Sequence, residues 1–408
     1  MKTNNFIAYF FLSLSFLCSF YFVRNNDTLY LFFYSFFLLC LFFTSLVYIN
    51  KTSIKNLLSF IHFFRYLFIF YVSNFFLQAF YHKIEISSLI LSTTNSFSAI
   101  LSLFLFSSLI NRKNDFLKLN RFIFYLLNIS LIVGILNSLK IINFDFLAPS
   151  KLINNYSYGI FGNTSGLMEH PISFGIAGTI LFTISVLLKK IKIKNLPYLL
   201  IIFLGVFISF SRTAFLILTV CFFTFLVYKK IISKISILMV LLGLFLLFFF
   251  IDLTTIPFLS NVLRLERVLS GREYIISFLL LIPWNYSDII FGFGYQNLLQ
   301  IRESILTDIE FNMAALQFES LHNLYLSTIG NSGILLALIY FISQIKIYYN
   351  HIRIKSEFSL HILMVMLIFI LGNFFVEFKV GGLRIISLYF SMMLAFIYKY
   401  EHKKFNEI

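Results

Sequence analysis

Residues 194–230, KNLPYLLIIFLGVFISFSRTAFLILTVCFFTFLVYKK, contain two apolar runs joined by a short polar turn and flanked by lysine on both sides. The turn, Ser209–Thr213, carries a single charge, that of Arg212. Each run barely reaches the length that an α-helix needs to cross about 30 Å of hydrocarbon. The stretch therefore predicts two membrane helices with their lysine ends on one side and Arg212 at the other.

The same pattern of apolar runs and basic flanks extends over the whole chain. Hydrophobic residues make up 60% of the sequence, and its mean hydropathy is +0.90. We predict an all-α, polytopic integral membrane protein, with residues 1–408 forming a single membrane domain of about twelve transmembrane helices. The predicted spans are about 6–23, 29–49, 57–77, 86–110, 121–139, 172–188, 196–210, 212–228, 231–251, 321–345, 359–378 and 382–398.

Basic residues concentrate in alternate short connections between these spans, which hold 20 of the 32 lysines and arginines. The positive-inside rule places those connections, and with them both termini, in the cytoplasm. The net charge of +15 is therefore a topology signal, so membrane lipids are expected partners and nucleic acid is not.

Two connections longer than a turn fall on the outer side: a smaller loop at about 141–170 and a large loop at about 252–320. Loops of this length without a function are uncommon. Apolar and charged positions alternate at helical spacing over 258–282, up to Pro283-Trp284. We therefore expect the large loop to form amphipathic helices on the outer leaflet.

Three arginines on the outer side are candidates for binding an anion. Arg212, in its Ser-Phe-Ser-Arg-Thr turn, either faces a polar cavity or extends to lipid headgroups. Arg264 and Arg272 lie in the large loop, Arg272 directly after Gly271, and either could instead contact anionic lipid from an amphipathic helix.

Two histidines lie where predicted outer loops enter the membrane. His322 stands in Glu319-Ser-Leu-His-Asn-Leu-Tyr-Leu326, with Asn323 and Tyr325 beside it, and imidazole is the side chain best suited to accept a proton near neutral pH. His170 follows Glu169 and precedes Pro171, a residue favoured in the first turn of a helix. The alternative for His322 is a helix cap at the headgroup level.

Metal and nucleotide motifs are absent from the sequence. Cys18, Cys40 and Cys221 lie in apolar runs with no spacing typical of metal ligands, and neither HExxH nor a phosphate-binding GxxxxGK occurs. We expect an enzyme, if this is one, to use no metal and no cofactor.

The order of these motifs resembles the O-antigen ligase/polymerase superfamily, and most closely its Wzy-type repeat-unit polymerases. The resemblance covers about residues 160–340 and rests on Ser209–Arg212, Gly271-Arg272 and His322-Asn323, with Phe161–Asn163 and His170-Pro171 fitting more loosely. It implies glycosyl transfer at the outer face of the bacterial inner membrane from an undecaprenyl-diphosphate-linked glycan. His322, Arg212 and Arg272 would be catalytic. The residues expected to bind substrate are Arg264, Asn323, Glu169, His170, Ser211 and Tyr325.

Three other functions remain open. A ligase would pass the same glycan to lipid A core or to protein instead of to another lipid-linked unit, in O-antigen or capsule synthesis. A lipid-glycan flippase or transporter would also suit about twelve helices, although such proteins usually show two matching halves. A non-catalytic scaffold would tolerate loss of His322 and Arg212. For a polymerase, the resemblance also implies a chain-length regulator and a flippase as partners.

Overall fold

The computed structural model describes residues 2–20, 23, 26–141, 157–158, 161–162, 166–168, 170–190, 196–209, 211–231, 233, 285–294, 324–373 and 384–402. Within them the predicted all-α class is confirmed. The exception is one antiparallel pair of two-residue strands, β1 (Ser157–Tyr158) and β2 (Phe161–Gly162), in the smaller predicted outer loop.

Helices occupy every predicted span apart from 231–251, which lies almost wholly outside the described residues. In chain order they are α1 (Lys2–Cys18), α2 (Asp27–Lys51), α3 (Ile54–Phe63), α4 (Arg65–Phe76), α5 (Ile86–Leu109), α6 (Lys113–Ser138), α7 (Pro171–Leu187), α8 (Leu196–Ile208), α9 (Arg212–Tyr228), α10 (Tyr286–Phe291), α11 (Leu324–Arg353), α12 (Ser359–Asn373) and α13 (Ile385–His402).

Three described helices are long and apolar enough to cross a membrane, namely Thr28–Lys51, Lys113–Ser138 and Ser327–Arg353. A fourth span arises if α3 and α4 are counted together. The count of about twelve spans and the orientation of the chain stay predictions.

The predicted span 57–77 is bent by 77° between α3 and α4, at Phe64. The bent segment contains neither proline nor glycine, so the usual sequence signals of a bend are absent. Beyond α4 the helix continues as a π-helical turn, Leu77–Tyr81. Such turns leave the regular hydrogen-bond ladder and occur often at functional sites.

Burial separates inner from outer helices. Thirteen consecutive residues of α7, from Ser173 to Ser185, are buried, and so are the residues of α13 from Ile385 to Tyr398. By contrast α2 exposes large apolar side chains such as Phe32 and Phe43, with 63% and 62% of their surface accessible. An apolar exterior of this kind is stable against lipid and costly in water, which agrees with membrane association.

The helices alternate in direction and bring their basic residues to one end. Helices α1, α6 and α12 begin at this end, and helices α7, α9 and α13 end there. Contacts between the start of one helix and the end of another, such as Phe116–Phe396 and the His361–Thr183 hydrogen bond, show these directions. We call it the Lys-rich end; it holds Lys2, Arg112, Lys113, Lys189, Lys190, Lys229, Lys230, Arg353, Lys355 and Lys399. The opposite end, where α7 and α9 begin, is called the site end.

Lysines also terminate α7 and α9 at the Lys-rich end. Lys189 and Lys230 adopt the left-handed conformation, with φ of 56° and 57°, and their N–H groups donate to the carbonyls of Val186 and Val227. A cation at this position interacts favourably with the negative end of the helix dipole. The lysines that predict the orientation of the chain in the membrane therefore also terminate these helices.

Helix α11 reverses its direction at Gly333, whose φ of 78° and ψ of 167° are not helical. In a straight helix Tyr325 and Phe341 would be about 24 Å apart. Their ring centroids are instead 4.3 Å apart, so residues 324–332 (α11a) fold back along residues 334–353 (α11b). The predicted single span 321–345 is wrong in this respect, because helical periodicity runs through the break.

The end of the smaller predicted outer loop is not exposed. Residues 166–168 are buried between α6 and α7: the Leu167 N–H donates to Ser130 Oγ at 3.3 Å, and Gly166, with φ of +55°, lies against the ring of Phe174. A side chain at Gly166 would overlap that ring. Met168 also forms a β-bridge with Phe20, at the end of α1. These contacts fix the chain just before α7 begins.

Candidate functional site

The structure describes only part of the predicted site. Glu169, Arg264, Arg272, His322 and Asn323 lie outside the described residues, and of Arg212 only the backbone is described. His170, Ser211 and Tyr325 are described in full. These three residues show how the described part of the site is arranged.

His170 caps the N-terminus of α7. Its Nδ1 atom accepts a hydrogen bond from the Ile172 N–H at 3.1 Å, and Pro171 occupies the first helical position. Because Nδ1 accepts, the proton of the neutral ring is on Nε2. The exposed His170 ring is thus arranged to donate a hydrogen bond from Nε2 and not to act as a base there.

The turn between α8 and α9 is held by its two serines. Ser209 Oγ donates to the Val206 carbonyl at 2.6 Å and accepts from the Ser211 N–H at 3.2 Å. Ser211 Oγ in turn caps α9 by accepting from the Ala214 N–H at 3.2 Å. This cap uses an oxygen lone pair, so the Ser211 hydroxyl hydrogen is not consumed by it. Arg212 is the first residue of α9.

Glycine brings the beginnings of α7 and α9 together. A Cβ on Gly175 would lie 2.5 Å from Ala214 Cβ and 2.7 Å from Ser209 Oγ. One turn further on, Thr179 Oγ1 donates to the Gly175 carbonyl at 3.1 Å and lies 3.4 Å from the Ala214 carbonyl. The two helices therefore run parallel in close contact, and both start at the site end.

The first described residues of α11a lie at this level. Tyr325 Oη donates to the Ile370 carbonyl at 3.0 Å, near the end of α12. Helix α12 is antiparallel to α7, since His361 near its start bonds to Thr183 near the end of α7. Ile370 of α12 is therefore level with the first turns of α7 and α9. The Tyr325 hydroxyl is committed to this backbone contact, which gives it a structural task.

Helices α7 and α9 thus begin side by side at the site end of the bundle. Each of these N-termini presents N–H groups without intrahelical partners and carries about half a positive charge. Together they favour an anion such as a phosphate or diphosphate. In the sequence, the two N-termini coincide with His170 and with Ser211-Arg212, and the described part of α11a, which runs in the opposite direction, follows His322-Asn323.

A polar cluster that sequence reasoning missed lies beside the break in α11. Gln78 Nε2 donates to the Asn331 carbonyl at 2.8 Å, and Ser332 Oγ donates to Asn74 Oδ1 at 2.6 Å. The sequence did contain a signal of this cluster. Asn74 and Gln78 are two amide side chains in an apolar span, and because they are four residues apart they lie on one face of the helix.

His82, just after the π-helical turn, adds to this cluster by donating from Nε2 to the Phe291 carbonyl at 3.0 Å. Burial lowers the pKa of His82, while the bond to the Phe291 carbonyl and the charge of Asp288 act in the opposite direction. The net effect favours the neutral ring.

No cluster of three or more histidine, cysteine, aspartate or glutamate side chains with metal-binding geometry occurs among the described residues. In comparisons with known proteins, no family model and no curated protein matches the chain. The motifs and the geometry of the site end therefore carry the inference of function.

Proposed function

We propose that this protein polymerises lipid-linked oligosaccharide repeat units in the bacterial inner membrane, as a metal-independent glycosyltransferase of polysaccharide biosynthesis. In this proposal the chain crosses the membrane about twelve times with both termini in the cytoplasm. The Lys-rich end faces the cytoplasm, and the site end faces outward. The donor is an undecaprenyl-diphosphate-linked glycan, and the acceptor is a sugar hydroxyl of another lipid-linked unit.

The observation that carries the proposal is the parallel start of α7 and α9 at the site end, at the level where Tyr325 of α11a bonds to α12. A diphosphate gains negative charge as its bond to the sugar breaks, and preorganised positive groups around it lower the barrier. Helix N-termini supply such groups at fixed positions. The arginine that the motif selects, Arg212, begins one of these helices.

The reaction assigns a role to each predicted residue. The acceptor oxygen attacks the anomeric carbon, His322 takes its proton, and the carbon–oxygen bond to the diphosphate breaks. Arg212 and Arg272 stabilise the diphosphate, which departs on its lipid carrier. Arg264, Asn323, Glu169, His170, Ser211 and Tyr325 contact glycan or diphosphate. For His170 the described geometry supports a donor, with Nε2–H directed at an acceptor oxygen.

A specific observation also bears on the transporter alternative, because α11 is broken and transporters bind ions at broken helices. In this protein the carbonyls near the break already have protein donors. The Phe293 N–H donates to the Gly330 carbonyl at 2.7 Å, and Gln78 donates to the Asn331 carbonyl. Carbonyls that already accept hydrogen bonds from protein donors are less available to an ion, so this break favours a structural role.

The test is a gel of cell-surface polysaccharide from a deletion strain complemented with variants at equal membrane levels. His322→Ala and Arg212→Ala are expected to give a single-repeat band in place of the ladder. Matched controls are His62→Ala and Arg353→Ala, which replace the same residue types at exposed positions of the Lys-rich end and should restore the ladder.

The outcomes separate the alternatives. Long glycan that forms but stays on the lipid carrier in the deletion strain would identify a ligase. A full ladder in both site variants would contradict the site and favour transport or scaffolding. Loss of the ladder in the controls as well would mean that the substitutions act through folding, which would remove the support for His322 and Arg212.

A further inference from the structure

Residues 292–294, from within the large predicted outer loop, are inserted into the break of α11. We call this contact the clasp. Its members are Asn74, Gln78, His82, Gly292, Phe293, Gly294, Asn331, Ser332 and Gly333. The clasp joins three separate parts of the chain: α4 with its π-helical turn, the residues that follow α10, and the junction of α11a with α11b.

Two glycines make the close approach in the clasp possible. Gly292 has φ of 73° and Gly333 has φ of 78°, conformations that other residues rarely adopt. A Cβ on Gly292 would lie 2.6 Å from the Gly333 nitrogen and 2.7 Å from the Ser332 nitrogen. A Cβ on Gly333 would overlap the Ile290 carbonyl. Backbone therefore packs directly on backbone, which fixes the separation of the two segments.

Hydrogen bonds from α4 hold the other side of the clasp. Gln78 and Ser332 have only 1% and 3% of their surface exposed. Gln78 donates to Asn74 Oδ1 at 3.3 Å as well as to the Asn331 carbonyl, and Asn74 Oδ1 accepts from Ser332. Buried polar groups of this kind are costly to leave unpaired, so the network permits one arrangement of the break.

The clasp holds the C-terminal end of α11a in place. Helix α11a rises about 12 Å from Leu324 to Ser332, and a helix transmits the position of one end to the other. At its C-terminal end it is fixed by the clasp, and at its N-terminal end by the bond from Tyr325 to Ile370. The chain enters α11a directly from His322 and Asn323.

We propose that Asn74 and Gln78 are positioning residues: through the clasp they set the place of α11a and so align the His322-Asn323 motif for proton transfer. This inference rests on the proposed function. Neither side chain contacts the substrate in this proposal, because each is directed at the backbone or at Ser332. A displacement of about 1 Å at a reacting group lowers a rate by as much as about 100-fold.

A reversible crosslink tests this role. In a chain whose native cysteines, Cys18, Cys40 and Cys221, are replaced by alanine, Asn74→Cys and Ser332→Cys substitute the hydrogen-bonded pair. Oxidation in membranes should join them. The control pairs Asn74→Cys with Leu335→Cys, which is 56% exposed beyond the break and should not crosslink.

Activity is then measured with lipid-linked repeat units in proteoliposomes. The reduced Asn74→Cys/Ser332→Cys protein is expected to have a kcat about tenfold below that of the cysteine-free parent, with KM for the lipid-linked donor within about twofold. Oxidation should restore kcat, and reduction should remove it again. Gln78→Met, which keeps the side-chain length but has no amide donor, should lower kcat similarly at unchanged expression.

The outcomes distinguish the role of the clasp from the proposed function. A missing crosslink, or a crosslink that forms without changing kcat, overturns the positioning role while the polymerase proposal stands. Full kcat in Gln78→Met does the same. If the cysteine-free parent and the natural sequence both make no polymer, the proposed function is wrong, and the positioning role is overturned with it.

Discussion

Replacement of Gly175 by alanine should impair function far more than stability. The added Cβ would lie 2.5 Å from Ala214 Cβ and 2.7 Å from Ser209 Oγ, where ordinary contacts are 3.4–4 Å. Neither neighbour can rotate away. Alanine has no side-chain rotamer, and Ser209 Oγ is held by Val206 and Ser211. Helices α7 and α9 must therefore separate by about 1 Å.

Two opposing terms decide the effect of Gly175→Ala on stability. Overpacking of a tight helix contact costs about 1–3 kcal/mol. Alanine in the middle of a helix is favoured over glycine by about 1 kcal/mol. The net loss is then about 0–2 kcal/mol, which a bundle of this size tolerates. By contrast, a shift of about 1 Å at the start of α9 would move Arg212 relative to α7 and lower the rate by up to about 100-fold.

The control is Gly205→Ala in α8. There the new Cβ would overlap the end of the Leu131 side chain, which can change rotamer, so activity and stability should stay near the parent values. Both variants are compared by polymer formation in proteoliposomes and by thermal unfolding in detergent. A Gly175→Ala protein with full activity would refute the reasoning, as would a Gly205→Ala protein impaired to the same degree.

Three further outcomes are expected in thermal unfolding of the purified protein. Gly333→Ala should cost at least about 2 kcal/mol, because its φ of 78° is unfavourable for alanine and its Cβ meets the Ile290 carbonyl; an unchanged midpoint would contradict the clasp geometry. Tyr389→Phe should lower the free energy of unfolding by about 1–3 kcal/mol, because it removes the 2.9 Å hydrogen bond to buried His361 Nε2. Adding His361→Leu should recover part of that free energy. If the effects of the two substitutions were strictly additive, the two side chains would not be coupled. Burial lowers the pKa of His82, so the unfolded chain binds a proton more readily than the folded protein, and the stability that is present above about pH 6.5 is lost as the pH falls. His82→Gln should therefore make the free energy of unfolding depend less on pH below about 6.5. An unchanged dependence on pH would exclude His82 as its source.

The sequence predicts the described helices well because membrane helices must satisfy their backbone internally and must be apolar over a fixed length. Neither requirement predicts where a helix bends. The 77° bend at Phe64 has no proline or glycine, and the reversal at Gly333 lies within a run of helical periodicity. The reversal depends on tertiary partners distant in the chain, namely the residues after α10 and the amides Asn74 and Gln78, and at the bend the Phe64 ring packs against Tyr398 of α13.

For the candidate site, the sequence predicts which polar residues lie at helix starts, but it does not predict whether each one binds substrate or caps a helix. Ser211 and His170 were selected as substrate ligands, and the structure gives each a helix-capping bond in addition. Helix capping uses the same small polar side chains that binding uses, so composition cannot separate the two. The roles of Arg264, Arg272, His322, Asn323 and Glu169 stay predictions.

Helix length offers a physical reason for a lipid-linked substrate at the site end. The inner helix α7 has 17 residues, which correspond to about 26 Å. It is shorter than about 30 Å of hydrocarbon, whereas α2 on the outside has 25 residues. If the Lys-rich end lies at the cytoplasmic headgroups, as the proposed function requires, α7 begins several ångströms below the opposite surface. In that proposal a lipid diphosphate reaches the N-termini of α7 and α9 at this depth while its glycan stays in water.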